Sequence, residues 1–475
     1  MRLKIMRVVL VGTAVLFLSF GGARAQGLTT QTGMLPDGAT YLIEVPPNWN
    51  GILFLYSHGY VVPGSKNPAQ DVGDPATRVF MLSSGFALAG SSYATTGWAI
   101  EQALPDQIAV LDVFKKMVGT PNQTIAWGHS LGGMITAGLI QRYPDRFDAA
   151  LPMCGVLSGG VATWNTALDS AFAFKTLLGD SRLQLVNITD PTGNLGLAET
   201  ILAAAAQTPQ GRARLALTSA LGDTPGWFLP LSPEPAANDF AGQQANQFLW
   251  AQLVDFPFAF ALRAELEFRA GGNVSWNTGV NYRRQLERSA DRDEVVALYQ
   301  QAGLSLDADL DTLEDTARID PNRHAIEYLE KNITYNGEIH IPVLTLHTTG
   351  DGLVVVQNES AYRSVVDEAG NGKLLRRTFV SRAGHCAFTP AETIAAVQAL
   401  LARLKSGQWP DVDASNLNAA ASALGPNFNI FPDPVTPGQI DFVPPGFVNF
   451  KPTRYLRPFN GDAEECESGD RCRDR

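Results

Sequence analysis

Cysteine is scarce in this chain. There are four in 475 residues, and neither a Cys-x-x-Cys nor a His-x-x-x-His spacing occurs among them and the six histidines. The usual zinc-site signatures are therefore missing, and no metal is expected. No cofactor-binding motif is present either. Positive charge is short as well: 36 Lys and Arg face 47 Asp and Glu, a formal net charge of −11, which argues against a nucleic-acid partner. Long apolar runs are also wanting. The run Val8–Phe20 falls short of the ~20 residues that a bilayer span needs, so no membrane span is expected.

That short run has a different reading. Arg2, Lys4 and Arg7 stand at or before its start, and the small-x-small step Ala23-Arg24-Ala25 follows it. This is the pattern of a secretory signal, residues 1–25, cleaved after Ala25. The protein is expected to be secreted or periplasmic, an oxidising setting that suits disulfides. Cys466 and Cys472 lie six apart in a polar tail, where closing a short loop is easy, and are expected to pair.

What remains after residue 25 exceeds the ~250–300 residues of a usual single core, so a core with a large insertion is expected. Gly27–Val45 reads as a hairpin about Pro36-Asp37-Gly38. Gly51–Tyr56, Phe86–Gly90, Thr124–Trp127 and Ala149–Met153 read as buried strands, with helices over Arg78–Ser84, Pro105–Val118 and the stretch after Ser130. Strands alternating with helices imply an α/β fold with a mostly parallel sheet. From 155 to 338 the pattern turns alanine-rich and helical, with an apolar patch at Phe248–Phe268. Strand patterns resume at Ile341–His347 and Leu374–Val380, followed by a capping box at Thr389–Glu392. The division is therefore 26–154 core, 155–338 inserted helical cap, 339–406 core, and 407–475 an extended, proline-rich tail on the surface.

The chemistry centres on Gly128-His129-Ser130-Leu131-Gly132-Gly133, lying between a strand and a helical pattern. A Gly-x-Ser-x-Gly turn in that context lifts the serine from the strand end, above the helix N-terminus. Serine is a weak nucleophile and needs a base, oriented in turn by a carboxylate. His385 sits in a glycine-marked loop after the final core strand, and Asp351 in the loop after the strand before it. The order Ser130, Asp351, His385 is one in which such triads occur. Two N–H donors are needed for the oxyanion: the Leu131 main chain, and one from the loop after Gly51–Tyr56, assigned to Tyr60. Phe258 and Phe260 of the apolar patch are candidate walls of a substrate pocket.

Together the His58-Gly59 turn, the serine elbow, the late Asp351 and the Gly384-His385-Cys386 loop resemble the α/β-hydrolase superfamily over about 27–158 and 339–405. The resemblance implies the sheet of that fold, a Ser-His-Asp hydrolase and no cofactor. Several activities share that fold, and hydrolysis of a small or oligomeric carboxylic ester leads among them, because the chain carries an export signal, no cofactor motif and an apolar cap. His385-Cys386 is similar to the His-Cys step of secreted tannase and feruloyl-esterase-type hydrolases, where a disulfide ties the histidine loop to a cysteine just before the serine. Position 129 is histidine here, so the implied partner of Cys386 is Cys154; two buried free thiols are the alternative. A prolyl-aminopeptidase-like peptidase uses the same triad and should show cap acids such as Glu265 or Glu267. An acyltransferase and a non-catalytic binding module complete the alternatives.

Overall fold

The computed structural model describes residues 27–459, so the expected signal segment and the Cys466–Cys472 pair lie outside the described residues. The chain opens with β1 (Thr29–Met34) and β2 (Thr40–Val45), an antiparallel hairpin. β3 (Ile52–Ser57), α1 (Pro75–Ser83), β4 (Ala87–Ser91), α2 (Ile100–Met117), β5 (Gln123–His129), α3 (Leu131–Arg142) and β6 (Ala149–Met153) follow. Later come β7 (Val343–Gly350), α13 (Asn358–Glu368), β8 (Leu375–Ala383) and α14 (Pro390–Ser406). Among the described residues the main sheet has nine strands, ordered β1-β2-β4-β3-β5-β6-β7-β8 and then β11 (Phe447–Val448). The run from β4 through β3, β5, β6 and β7 to β8 is parallel. Helices cover both faces, so β4 and β6 are wholly buried and β3 and β5 nearly so, which is why they read as continuous apolar runs.

Between β6 and β7 the described residues hold nine α-helices and no strand. These are α4 (Gly160–Leu178), α5 (Pro191–Ala205), α6 (Pro209–Leu221), α7 (Phe240–Trp250), α8 (Arg263–Ala270), α9 (Tyr282–Arg288), α10 (Arg292–Ala302), α11 (Leu306–Asp315) and α12 (Arg323–Asn332). This insert has an apolar core of its own, in which Phe174, Leu202, Leu217, Leu286, Val295 and Leu313 meet. Between α7 and α8 the chain stays helical but widens into two π-type turns, Ala251–Asp255 and Phe258–Leu262, on either side of Pro257. Proline has no N–H to donate into the ladder and interrupts its α-helical bonding.

Among the boundaries that differ from the sequence reading, three have a clear physical reason. α1 begins at Pro75 because Asp74 accepts from the Thr77 N–H and Pro75 takes the first turn. α2 starts at Ile100 and carries Pro105 inside it, since Ile100, Ala103 and Leu104 all gain core contacts. The largest difference is the C-terminal segment, which is neither extended throughout nor confined to the surface. It contains α15 (Ala414–Ala423), whose Leu417 and Ala421 pack against the core, and a small ribbon of β9 (Ile430–Pro432) and β10 (Ile440–Phe442). β11 then pairs antiparallel with β8, so β8 is not the sheet's last strand. Beyond it Tyr455 and Leu456 are buried. Scattered prolines hid these short pieces from any periodicity. No helix among the described residues is long and apolar enough to cross a membrane.

Candidate active site

Ser130 stands between β5 and α3 with φ 60° and ψ −125°, a strained conformation for a residue with a side chain. The turn is tight enough to exclude side chains nearby. A Cβ on Gly132 would lie 1.9 Å from the Ser57 carbonyl oxygen, and one on Gly128 2.4 Å from it. The Ser130 N–H is held by the Met153 carbonyl of β6 at 3.0 Å.

The structure brings Ser130, His385 and Asp351 together. The Ser130 hydroxyl lies 2.7 Å from His385 Nε2, and His385 Nδ1 lies 2.8 Å from Asp351 Oδ2. Each group follows a parallel strand at its carboxyl end: Ser130 after β5, Asp351 after β7 and His385 after β8. The other Asp351 oxygen accepts from the Leu353 and Val354 N–H groups at 3.1 and 3.0 Å. Burial works to raise this carboxyl, but the His385 and His347 rings outweigh it and hold it below the usual carboxylate range. An acceptor-only carboxylate at Nδ1 puts the ring's proton there and leaves Nε2 free to accept from Ser130. Asp367, further along on α13, is paired with Arg363.

Cys154 and Cys386 form a disulfide across 232 residues. It ties the end of β6 to the residue after His385. Both cysteines have positive φ, 42° and 54°, so the bridge spans two strained turns beside the strained Ser130. His129, in the position preceding the serine, is no second base. Burial, with His385 adding to it, pushes its ring down to about 4, and the Tyr56 hydroxyl sits 3.0 Å from its Nδ1.

The loop after β3, which carries Tyr60, lies against the serine turn. Gly59 packs against Ser130, where a Cβ on the glycine would sit 3.3 Å from the serine Cβ. Among the described residues the main-chain N–H groups of Tyr60 and Leu131 donate to no other group. The loop is braced from behind by His58, stacked on Tyr93 with ring centroids 3.9 Å apart.

A cavity of about 140 Å³ opens beside Ser130. Tyr60 and Leu131 line it from the core, Trp164 and the 251–260 turns from the insert, and Tyr455 from the C-terminal segment. Phe258 and Phe260 both stand in its wall. Phe258 meets Tyr60 edge-on at 5.2 Å, whereas Phe260 is fully buried and also packs on Phe174 and Phe256 in the insert's core. Phe268, at the end of the same apolar patch, is 89 % exposed. Glu265 and Glu267 do not line the cavity. Glu265 pairs with Arg269 and accepts from the Trp98 N–H; Glu267 pairs with Arg263 and accepts from the Ile188 N–H.

The carboxyl that does line it, alone among the described residues there, is Asp255. Burial pushes it up to about 7, the Thr224 hydroxyl beside it works the other way, and Asp351 adds to the rise. Sequence reasoning missed it, although an acid inside the run FLWAQLVDFPFAFAL is a visible anomaly. Tyr455 gave no such signal, because nothing in the tail's composition points back to the sheet edge.

The prolyl oligopeptidase family is matched by residues 92–173, a span that contains the serine elbow. Over 427 residues the chain is 31% identical to o-phthalyl amidase of Xanthobacter agilis, across 83% of this chain and 91% of that protein. Among solved structures, an esterase from Aspergillus oryzae aligns with a TM-score of 0.42 at 14% identity, over 81% of this chain and 80% of the other. Pyrococcus horikoshii acylaminoacyl peptidase aligns with a TM-score of 0.39 at 9% identity, over 82% of this chain and 44% of that one.

Proposed function

The chain belongs to the α/β-hydrolase superfamily and is a serine hydrolase, and from that premise we propose that it cleaves carboxylic esters through an acyl-enzyme on Ser130. One observation carries the reading: the hydrogen-bonded series Ser130–His385–Asp351 opens directly onto an aromatic-walled cavity. Ser130 Oγ attacks the carbonyl carbon while His385 Nε2 takes the hydroxyl proton. Asp351 stabilises the imidazolium that results. The oxyanion is met by the Leu131 and Tyr60 N–H groups, each worth roughly 3 kcal/mol of transition-state stabilisation. The tetrahedral adduct collapses, the C–O bond breaks, and His385 returns its proton to the leaving alcohol. Water then repeats the sequence on the acyl-enzyme, releasing the acid and regenerating Ser130.

The insert acts here as a cap that shapes the acyl site, and the small cavity favours a compact or aromatic acyl group. Export by the residue 1–25 signal is part of the proposal, and the Cys154–Cys386 bridge supports an oxidising compartment.

A second reading, amide cleavage, is favoured by two observations: the amidase relative, and an acid in the cavity that could receive a donor on the substrate. Matched p-nitrophenyl esters and p-nitroanilides of one aromatic and one short aliphatic acid separate the two. Turnover of the esters well ahead of the anilides is expected. Preference for the anilides would replace the ester reading with the amidase one.

A further inference from the structure

Behind Asp351, away from His385, lies an imidazole that the proposed chemistry leaves unused. His347 stands near the end of β7 and its side chain is fully buried. Its Nε2 is 2.7 Å from the Val354 carbonyl oxygen and 3.6 Å from Asp351 Oδ2, while its Nδ1 is 3.2 Å from Glu359 Oε1 on α13. The second Glu359 oxygen accepts from the Thr345 hydroxyl at 2.6 Å. Thr345 and His347, two apart on one strand, face the same side. The ring is therefore enclosed between two carboxyl groups. A carbonyl oxygen can only accept, so Nε2 carries a proton; an ionised Glu359 requires one on Nδ1 as well. Burial disfavours that charge, but the neighbouring Asp351 and Glu359 carboxyl groups outweigh it and push the ring up to about 10.

No substrate reaches His347, so whatever it does passes through Asp351. We propose, resting on the reading that Ser130, His385 and Asp351 react, that His347 is a positioning residue. It is an imidazolium balanced by Glu359, and its charge keeps Asp351 ionised beneath the His385 ring. Other groups bear on this chain of charges. The Arg377 guanidinium of β8 donates to the Glu359 main-chain carbonyl at 3.0 Å. Tyr362 of α13 stays neutral, through burial and then the nearness of Glu359. On the far side, His385 faces His129, which is neutral, and Asp351 also feels Asp255. Apart from His385 itself, His347 is the basic group that holds Asp351 down.

The test uses the rate of inactivation by phenylmethylsulfonyl fluoride as a function of pH, which needs no natural substrate. A wild type that is not inactivated at any pH refutes the triad reading itself, whatever His347 does. With a reactive wild type, His347→Gln should move the rising limb upward by roughly one pH unit, the order expected for losing one nearby unit charge inside a protein. A uniformly slower rate with the limb unmoved would mean a merely structural histidine. The intact wild-type protein, with ¹⁵N-labelled histidine, provides a readout free of any folding defect. At about pH 9, above the ordinary histidine range, one ring should keep both nitrogens protonated in its NMR spectrum. Finding no such ring overturns the proposal.

Discussion

At Ser130 the backbone carries a cost, of order 1–3 kcal/mol for a positive φ on a residue with a Cβ. The surroundings explain why it persists: Gly128 and Gly132 let the neighbouring main chain close in, and Met153 holds the serine N–H. Asp351 is fixed with similar economy. One oxygen takes two main-chain N–H groups and the other takes His385. Asp351→Asn should therefore fold normally and lose up to ~10⁴ in kcat, because an amide can present its NH₂ to the ring and impose the wrong tautomer. Comparing kcat and Tm of the two proteins checks this; a mild loss in kcat would assign the acid elsewhere. These residues were legible in the sequence because a nucleophile elbow needs glycines at fixed offsets, and because loops after sequential strands carry the partners. Asp255 and His347 were not. Each acts through neighbours that are distant in sequence or on another element, and neither sits in a motif.

Among the elements, the 240–270 helical stretch departs furthest from its sequence pattern. An α-helical period does not bring Asp255, Phe256, Phe258 and Phe260 onto one wall; the two π-type turns around Pro257 do. The apolar patch could thus be read from composition, but its face could not. Phe258 and Phe260 should now behave differently. Phe258→Ala should change the preferred acyl length with little change in Tm. Phe260→Ala, emptying a fully buried site, should cost about 3–5 kcal/mol. Equal Tm losses for both would make Phe258 plain core. The disulfide offers a second element-level test. It pins the loop that carries His385, so reduction by dithiothreitol should lower kcat several-fold while leaving KM close to its starting value. Unchanged kcat, with the Cys154–Cys386 peptide shown to be reduced, would deny the bridge any role in placing the base.

Several acids are buried in the folded molecule. Burial lifts Asp255 and Asp291 to about 7 and Asp106 and Glu294 to about 8. The folded state thus keeps protons that the unfolded chain releases above about pH 4, and each group's contribution to stability falls as pH rises from there to about 8. His347, raised to about 10, acts in the same sense: its contribution is complete below about pH 6.5 and lost as pH passes through 10. Asp351, held low, contributes above about pH 4 and loses that contribution in acid. Tm should therefore peak near about pH 5 and fall steadily towards pH 9; a flat or rising Tm across that range would contradict these protonation states. The C-terminal segment also belongs at this scale. Tyr455 enters the cavity wall and Arg457 reaches Asp169 of α4 at 2.7 Å, strapping insert to core. Proline-rich composition concealed it, because its order comes from docking and not from periodicity.

The proposed reaction depends on Ser130 as the nucleophile. Intact mass spectrometry after treatment with a fluorophosphonate, followed by peptide mapping, measures this directly. The wild type should gain one adduct, on Ser130, with activity lost in proportion, and Ser130→Ala should gain none while unfolding at the wild-type temperature. An adduct on another residue, or a Ser130→Ala protein that still turns over substrate at the wild-type rate, would contradict it.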